Sequence, residues 1–192
     1  MPRRSLRDQL LEAGLETLHA KGFNATSVQD ITDAAGAPKG SFYNHFESKE
    51  ALAIEALRQY VARGQARRAV LRDRSRPAIR RLRAYLEGLI EAATEARFSS
   101  GCLLGNFGAE LSGQSPLIRK HVDGAFCAWR DALAEVIAEA QQAGDVPGKF
   151  AAGELAEFVI DAWEGAILRA KVAKSRKPLD LFLEVTFAKT LA

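Results

Sequence analysis

A turn centred on a glycine, between two short segments with helical spacing, constrains the fold of this chain more than any other feature. It lies within residues 26–49, TSVQDITDAAGAPKGSFYNHFESK. Ser27 and Asp30 match a capping box, which predicts that a helix begins directly after Ser27. Gly36 can take the left-handed conformation without steric cost and ends that helix, and Pro38 suits the first turn of the next one. The stretch therefore predicts a helix, a tight turn and a second helix.

The second of these helices, predicted for residues 38–46, has an apolar face and a polar face. Phe42 and Phe46 lie one turn apart and are expected to point inward. The outward face is expected to carry Lys39, Gly40, Ser41, Tyr43, Asn44 and His45. A positive charge, a glycine that lets the backbone come close and several hydrogen-bonding groups suit phosphate oxygens and base edges. The alternative is an ordinary helical hairpin with a solvated polar face.

Basic residues on both sides are candidates to extend this surface. Ser48 is predicted to cap the following helix, whose positive N-terminal end, with Lys49 in its first turn, suits a further phosphate. Arg3, Arg4 and Arg7 precede the first predicted helix. This basic arm is either a further phosphate contact or a disordered tail, which short basic termini usually are.

The rest of the chain also follows the helical period, and no region shows sustained alternation at period two. Apolar stripes predict helices at about residues 5–21, 48–71, 77–97, 102–111, 116–143, 151–173 and 179–191. Glycine, proline and short polar runs separate them. The predicted fold class is all-α, with a small three-helix helix-turn-helix domain at the N-terminus and a larger helical bundle after it.

Composition excludes several classes of protein. The chain has 192 residues and a formal net charge of +3, which is too modest to indicate nucleic-acid binding by itself. Residues 58–83 contain ten arginines, and Asp73 is the one acidic residue among them. We interpret most of these arginines as a solvated face. No apolar run is long enough for a membrane span and no signal peptide is evident, so a cytoplasmic location is expected.

Enzymatic chemistry is not expected from this sequence. The three histidines are not paired at metal-ligand spacing, and neither cysteine has a CxxC partner. No nucleophile elbow or dinucleotide fingerprint follows a strand. We therefore predict no catalytic residues, no metal site and no cofactor.

Residues 26–49 also resemble the DNA-binding segment of TetR-family transcriptional regulators of the TetR/AcrR type. The residues that carry the resemblance are Ser27-Val28, Ile31, Gly36, Lys39-Gly40, Tyr43, His45-Phe46 and Lys49. Pro38 departs from the family pattern, where small polar or apolar residues are common. The resemblance implies a DNA-binding domain at residues 1–47 and a ligand-binding and dimerisation domain at residues 48–192.

The resemblance further implies a homodimer that binds a palindromic operator in double-stranded DNA and is released by a small-molecule effector. The residues expected to contact DNA are Thr26, Ser27, Lys39, Gly40, Ser41, Tyr43, Asn44, His45 and Lys49. A helical adaptor or scaffold that binds protein is the alternative function. It would explain the bundle but not the polar surface from Lys39 to Lys49.

Two further sets of residues follow from the resemblance. The expected effector pocket is lined by Tyr85, Phe98, Cys102, Asn106, Phe107, Glu110, His121, Phe126 and Trp129, a mostly apolar set with a few polar groups. The expected dimer interface comprises Phe158, Ala162, Trp163, Ala166, Ala170, Phe182 and Val185. For each residue, packing inside one chain is the alternative.

Cys102 has a second interpretation. It lies at the predicted N-terminus of a helix, where the helix dipole favours the nucleophilic thiolate. Some TetR-like regulators sense electrophiles or oxidants through a cysteine near the pocket. The alternative is a small, buried apolar residue.

Overall fold

The computed structural model describes residues 5–192, which contain no β-strand. Eight α-helices follow in order: α1 (Leu6–Lys21), α2 (Val28–Ala34), α3 (Lys49–Arg67), α4 (Ala78–Glu95), α5 (Leu103–Leu111), α6 (Pro116–Gln142), α7 (Ala152–Ala173) and α8 (Lys177–Val185). Short 3-10 helices lie at Lys39–Asn44 and Arg68–Arg72, and a π-helical turn at Thr186–Thr190. The predicted all-α class is confirmed. Arg3 and Arg4 of the predicted basic arm lie outside the described residues.

The chain divides into two compact units. The first contains the residues up to Arg63 together with Leu103–Gly124, and the second contains Gly64–Cys102 together with Ala125–Ala192. The boundaries fall inside α3 and α6, so each of these helices contributes residues to both units. The predicted division into residues 1–47 and 48–192 stays a prediction.

The first unit is built on the apolar face of α1. Ser5 caps this helix, because its hydroxyl accepts a hydrogen bond from the backbone N–H of Asp8 at 3.2 Å. Leu10 and Leu18 are fully buried, and the helix packs against α2. Gly22, at φ +86°, ends the helix, and its N–H donates to the carbonyl of Leu18 at 2.9 Å.

The turn between α2 and the following 3-10 helix forms as the sequence predicts. Both halves of the capping box between Ser27 and Asp30 are present, and Gly36 takes the left-handed conformation at φ +63°. Ile31 is fully buried. Ala34, the last residue of this short helix, is exposed.

The second predicted helix is a 3-10 helix, not an α-helix, over Lys39–Asn44. Its hydrogen bonds run from the Ser41 N–H to the Pro38 carbonyl at 2.9 Å and from the His45 N–H to the Phe42 carbonyl at 3.0 Å. Pro38 provides no capping side chain, and a glycine as the second residue disfavours α-helix. Phe42 and Phe46 are both buried, as predicted.

The second unit packs α7 against α8 and α4 against α8. The last helix begins at Lys177, earlier than predicted, because Pro178 occupies its first turn where no N–H is required. Leu179 and Phe182 form its buried face. Within residues 5–192, none of the helices combines the length and apolar character that a membrane crossing requires.

Candidate nucleic-acid interface

The polar surface predicted from the sequence lies on the 3-10 helix. Lys39, Gly40, Tyr43 and Asn44 are exposed there, while Ser41 and His45 are half-buried. The Tyr43 side chain is 60% exposed, yet its ring packs edge-on against the buried Phe42 at 5.2 Å between centroids. An aromatic side chain is thus held in place on the surface with its hydroxyl available.

Lys39 and Gly40, at the first end of this surface, are both open to another molecule. Lys39 has no hydrogen bond or ion pair with another residue of the described range. A Cβ atom on Gly40 would meet nothing within 4 Å, so the chain itself does not require a glycine there. The open space at Gly40 leaves the backbone accessible to another molecule.

Ser27 lies beside this surface at the start of α2. It is exposed, but its hydroxyl accepts from the Asp30 N–H at 3.1 Å and donates to the Asp30 carboxylate. Lys21 pairs with Asp30 at 2.7 Å. The hydrogen bond from Lys21, followed by those from Ser27, holds the pKa of Asp30 far below its usual value. Ser27 therefore fixes the helix start and keeps one acceptor site towards solvent.

Thr26 does not belong to the exposed surface. Its side chain is 1% exposed, and its hydroxyl donates to the backbone carbonyl of Gly22 at 2.6 Å. The expected DNA contact is replaced by an internal hydrogen bond, because Thr26 lies in the connection between α1 and α2 and faces the core.

Lys49 also has an internal role. Its ammonium group donates to the carbonyls of Phe23 at 2.8 Å and Thr26 at 2.6 Å, and it lies 4.1 Å from the centroid of the Phe23 ring. Burial lowers the pKa of Lys49, while the charges of Glu110 and Asp30 oppose this shift. The side chain joins the start of α3 to the connection between α1 and α2, and two of its three N–H donors are used there.

Two residues predicted for the effector pocket complete this arrangement within the first unit. The Glu110 carboxylate accepts a hydrogen bond from the Asn24 N–H at 2.9 Å, and the buried Phe107 ring meets Phe23 edge-on at 6.4 Å. A Cβ atom on Gly22 would lie 2.2 Å from a Glu110 oxygen, so a larger residue, already strained by the φ of +86°, would displace that carboxylate. We call Phe23, Lys49, Phe107 and Glu110 the α5 brace.

The α5 brace was not predicted, because its partners lie far apart in the sequence. Asn24 and Glu110 are separated by 86 positions, and no local pattern indicates their contact. His121 also lies in the first unit, with its Nε2 3.5 Å from the Arg58 guanidinium. Asn106 is half-buried in the same unit.

We expect Lys49→Met to lower the free energy of unfolding by about 1–3 kcal/mol. The methionine keeps the apolar stem but removes the charge and both hydrogen bonds. The Phe23 carbonyl keeps the backbone N–H of Thr26 as a donor, but the Thr26 carbonyl loses the lysine donor. Thermal unfolding followed by circular dichroism measures the change. Lys39→Met is the matched control, since an exposed lysine without a partner contributes little to stability. Equal melting temperatures for the two variants would contradict the role of Lys49.

The remaining pocket residues lie in the second unit. Tyr85, Cys102 and Trp129 are buried, and burial raises the pKa of Tyr85 to about 12. The Phe126 and Trp129 rings are parallel, with 6.5 Å between centroids. Phe98 is half-buried in the turn after α4 and has φ of +53°.

Glu164 is a polar neighbour of Cys102 that the sequence did not reveal. Its Oε1 atom is buried without a hydrogen-bond partner in the described part of the chain. Burial raises the pKa of Glu164, and a hydrogen bond from Cys102 opposes the shift. Acidic residues on helices are usually exposed, so the position of Glu164 in the sequence did not indicate that it is buried. The sensor role of Cys102 stays a hypothesis.

The residues predicted for the dimer interface separate into two groups. Trp163, Ala170 and Phe182 are buried within the chain, and the Trp163 and Phe182 rings meet edge-on at 5.7 Å. Phe158 and Val185 are exposed, and Ala162 and Ala166 are half-buried. Further large apolar side chains are exposed on the same two helices, namely Leu168, Val172 and Leu181. The first group packs α7 onto α8, and the exposed group forms an uncovered apolar surface.

No group of three or more His, Cys, Asp or Glu side chains within residues 5–192 is arranged to hold a metal ion.

Comparison with known proteins decides the family. Residues 10–56 match the sequence model of bacterial regulatory proteins of the tetR family, and residues 78–186 match that of the tetracyclin repressor-like C-terminal domain. The chain belongs to the TetR family. Its relatives include the HTH-type transcriptional repressor DhaR of Mycobacterium sp. strain GP1, at 41% identity over 97% of this chain and 93% of DhaR. The transcriptional regulator AcuR of Cereibacter sphaeroides is 37% identical over 94% of this chain and 84% of AcuR.

Solved structures of TetR-family proteins share the fold. The regulatory protein TetR from Rhodobacter sphaeroides superimposes with a TM-score of 0.90 at 32% identity, over 96% of this chain and 98% of that one. The reduced form of Escherichia coli NemR gives a TM-score of 0.82 at 28% identity, over 95% of each chain. This TetR-family protein is therefore a ligand-responsive, DNA-binding transcriptional regulator, and the adaptor or scaffold alternative is not favoured.

Proposed function

We propose that this regulator represses transcription as a homodimer that binds a palindromic operator through its 3-10 helix and is released by a small-molecule effector. The interface residues are Ser27, Lys39, Gly40, Ser41, Tyr43, Asn44 and His45. The observation that carries the proposal is the surface position of Tyr43, which is exposed and packed against a buried ring. Repression is favoured over activation because DhaR and NemR are described as repressors. A cytoplasmic location, where the chain meets chromosomal DNA, is part of the proposal.

The groups of this surface have distinct parts in the proposed complex. The unpaired Lys39 ammonium neutralises a phosphate, and the hydroxyl of Tyr43 donates to another. The accessible backbone at Gly40 and the amide of Asn44 approach base edges in the major groove. We assign Thr26 and Lys49 no direct contact, because the Thr26 hydroxyl and two of the three N–H donors of Lys49 bond to carbonyls inside the chain. Their part is to hold the connection between α1 and α2 against the start of α3.

A second copy of the chain is the proposed occupant of the apolar surface on α7 and α8. Phe158, Gly165 and Val172 recur at intervals of seven residues on α7 and are all exposed, so they lie on one stripe. A Cβ atom on Gly165 would meet nothing within 4 Å, which allows close approach of another helix. A two-fold axis through this surface would present two DNA-binding surfaces to two half-sites.

The effector is proposed to bind among Tyr85, Phe98, Cys102, Phe126 and Trp129 in the second unit. This aromatic set suits a largely apolar ligand. The unpaired Oε1 atom of Glu164 favours a ligand that also carries a hydrogen-bond donor. Binding of effector and operator is then coupled reciprocally, since each ligand shifts the protein only through its differential affinity for the two conformations.

Selection of bound duplexes from a random pool tests the function as a whole. We expect enriched sequences to contain two inverted half-sites about one helical turn of DNA apart, or a small multiple of it. Molar mass in solution, measured with and without the selected duplex, gives the stoichiometry. Failure to enrich any sequence over a mock selection would contradict operator binding, and enrichment of single half-sites would contradict the paired arrangement.

A further inference from the structure

A cavity of about 240 Å³ in the second unit is lined by four arginines. Arg68, Arg72 and Arg74 reach it from the 3-10 helix after α3 and from the loop that follows, and Arg81 reaches it from the first turns of α4. The opposite wall is α6, which contributes Glu135 and Glu139 among its apolar residues. From the sequence, most arginines of residues 58–83 are expected to form a solvated face. The structure brings four of them together around one cavity.

Arg81 is the buried member of the cluster. It is 3% exposed; its Nη1 atom donates to the carbonyl of Leu71 at 2.5 Å, and its Nη2 atom pairs with Glu139. Its Nε atom is buried and has no hydrogen-bond partner within residues 5–192. A buried guanidinium with an unused N–H is costly unless something compensates it.

The carboxylates around the cavity do not balance the arginines. Glu139 is shared between Arg81 and Arg74, the latter at 3.6 Å, and its pKa lies below its usual value because of the hydrogen bond from Arg81. Neither Arg68 nor Arg72 forms an ion pair with any carboxylate of the described residues. Four guanidinium groups and two carboxylates leave the cavity with an excess of positive charge.

We propose that this cavity binds a small oxyanion, a carboxylate or a phosphate group, held by Arg68, Arg72 and the buried Arg81. Guanidinium groups match the planar, paired oxygens of these anions and bind them through two parallel hydrogen bonds. The low dielectric beside a buried arginine strengthens this attraction relative to the open surface. The site is separate from the DNA-binding surface, and its existence does not depend on the proposed operator.

Titration of the full chain with inorganic phosphate and, separately, with acetate tests the site. Chloride at matched ionic strength is the reference, because nonspecific screening affects all three salts alike. We expect one of the two oxyanions to raise the melting temperature in a saturable way by a few degrees, and calorimetry to give one site per chain. The oxyanion with the saturable response identifies the group that binds. Equal effects of all three salts would overturn the proposal.

Variants separate the site from a general charge effect. Arg68→Gln and Arg72→Gln are each expected to weaken oxyanion binding by about tenfold, since one charge-assisted pair is lost. Both side chains reach solvent, so both variants are expected to stay folded. Arg81→Gln is not used, because it would leave Glu139 without its buried partner. Arg80→Gln is the matched control, an exposed arginine of the same run that does not line the cavity. An equal loss of binding in Arg80→Gln would overturn the assignment.

Discussion

The double substitution Lys39→Ala and Tyr43→Ala is expected to lower the affinity for the selected operator by about 100-fold or more. Each side chain is exposed on the 3-10 helix, and each is proposed to contact a phosphate. Losing such contacts costs about 1–3 kcal/mol apiece, and the homodimer loses each of them twice. The protein is expected to stay folded, because neither side chain belongs to the buried core.

The salt dependence of binding distinguishes lost phosphate contacts from a damaged fold. Removing the Lys39 ammonium from both subunits is expected to reduce the slope of log affinity against log salt by about 2. Tyr43→Phe, which keeps the ring against Phe42, is expected to lose only the contribution of the hydroxyl. Lys120→Ala is the control, an exposed lysine on α6 that is not part of the proposed interface. Wild-type affinity in the double variant would remove this surface from the DNA interface.

The local features of the first unit could be predicted because neighbouring residues determine them. The capping box of Ser27 and Asp30 and the left-handed Gly36 depend on a few adjacent residues, and all form as expected. Phe42 and Phe46 are both buried, because the Phe46 N–H bonds to the Phe42 carbonyl at 3.0 Å and this last turn keeps the α-helical spacing of four. The choice between α and 3-10 helix was missed, since it depends on small differences around Pro38 and Gly40.

The roles of polar side chains near the surface could not be predicted in this way. Thr26 and Lys49 are residue types that suit a DNA surface, yet their hydrogen bonds go to backbone carbonyls of the same unit. Whether a lysine faces solvent or a backbone carbonyl depends on which distant segments of the chain pack around it. In the α5 brace, one of those segments is the part of α5 that carries Glu110. Arg81 shows the same limit, because a run of arginines gives no sign of which member is buried.

Burial also decided which apolar residues remain available to a partner. The family resemblance placed Trp163 and Phe182 in the dimer interface with Phe158, but these two large rings pack against each other and are buried within the chain. The helical period identifies faces of a single helix and cannot show which face another helix covers. The exposed residues of α7 are therefore the appropriate targets for a test of dimer formation.

The pair Phe158→Asp and Val172→Asp is expected to convert the homodimer into monomers. Both side chains lie on the exposed stripe of α7, and Phe158 is 57% exposed in the isolated chain. In a two-fold interface each substitution introduces two carboxylates, which would be buried close together without partners. Sedimentation equilibrium is expected to give the mass of a single chain, 20.9 kDa, in place of twice that value.

Monomer formation is expected to reduce operator affinity as well, by about 100-fold or more, because a single DNA-binding surface engages only one half-site. Phe150→Asp provides the matched control: Phe150 is 53% exposed, similar to Phe158, but lies in the loop before α7. It is expected to remain a dimer with unchanged affinity. A dimer that survives in the Phe158 and Val172 variant would move the interface away from this stripe, whereas monomers with full affinity would show that paired binding is not required.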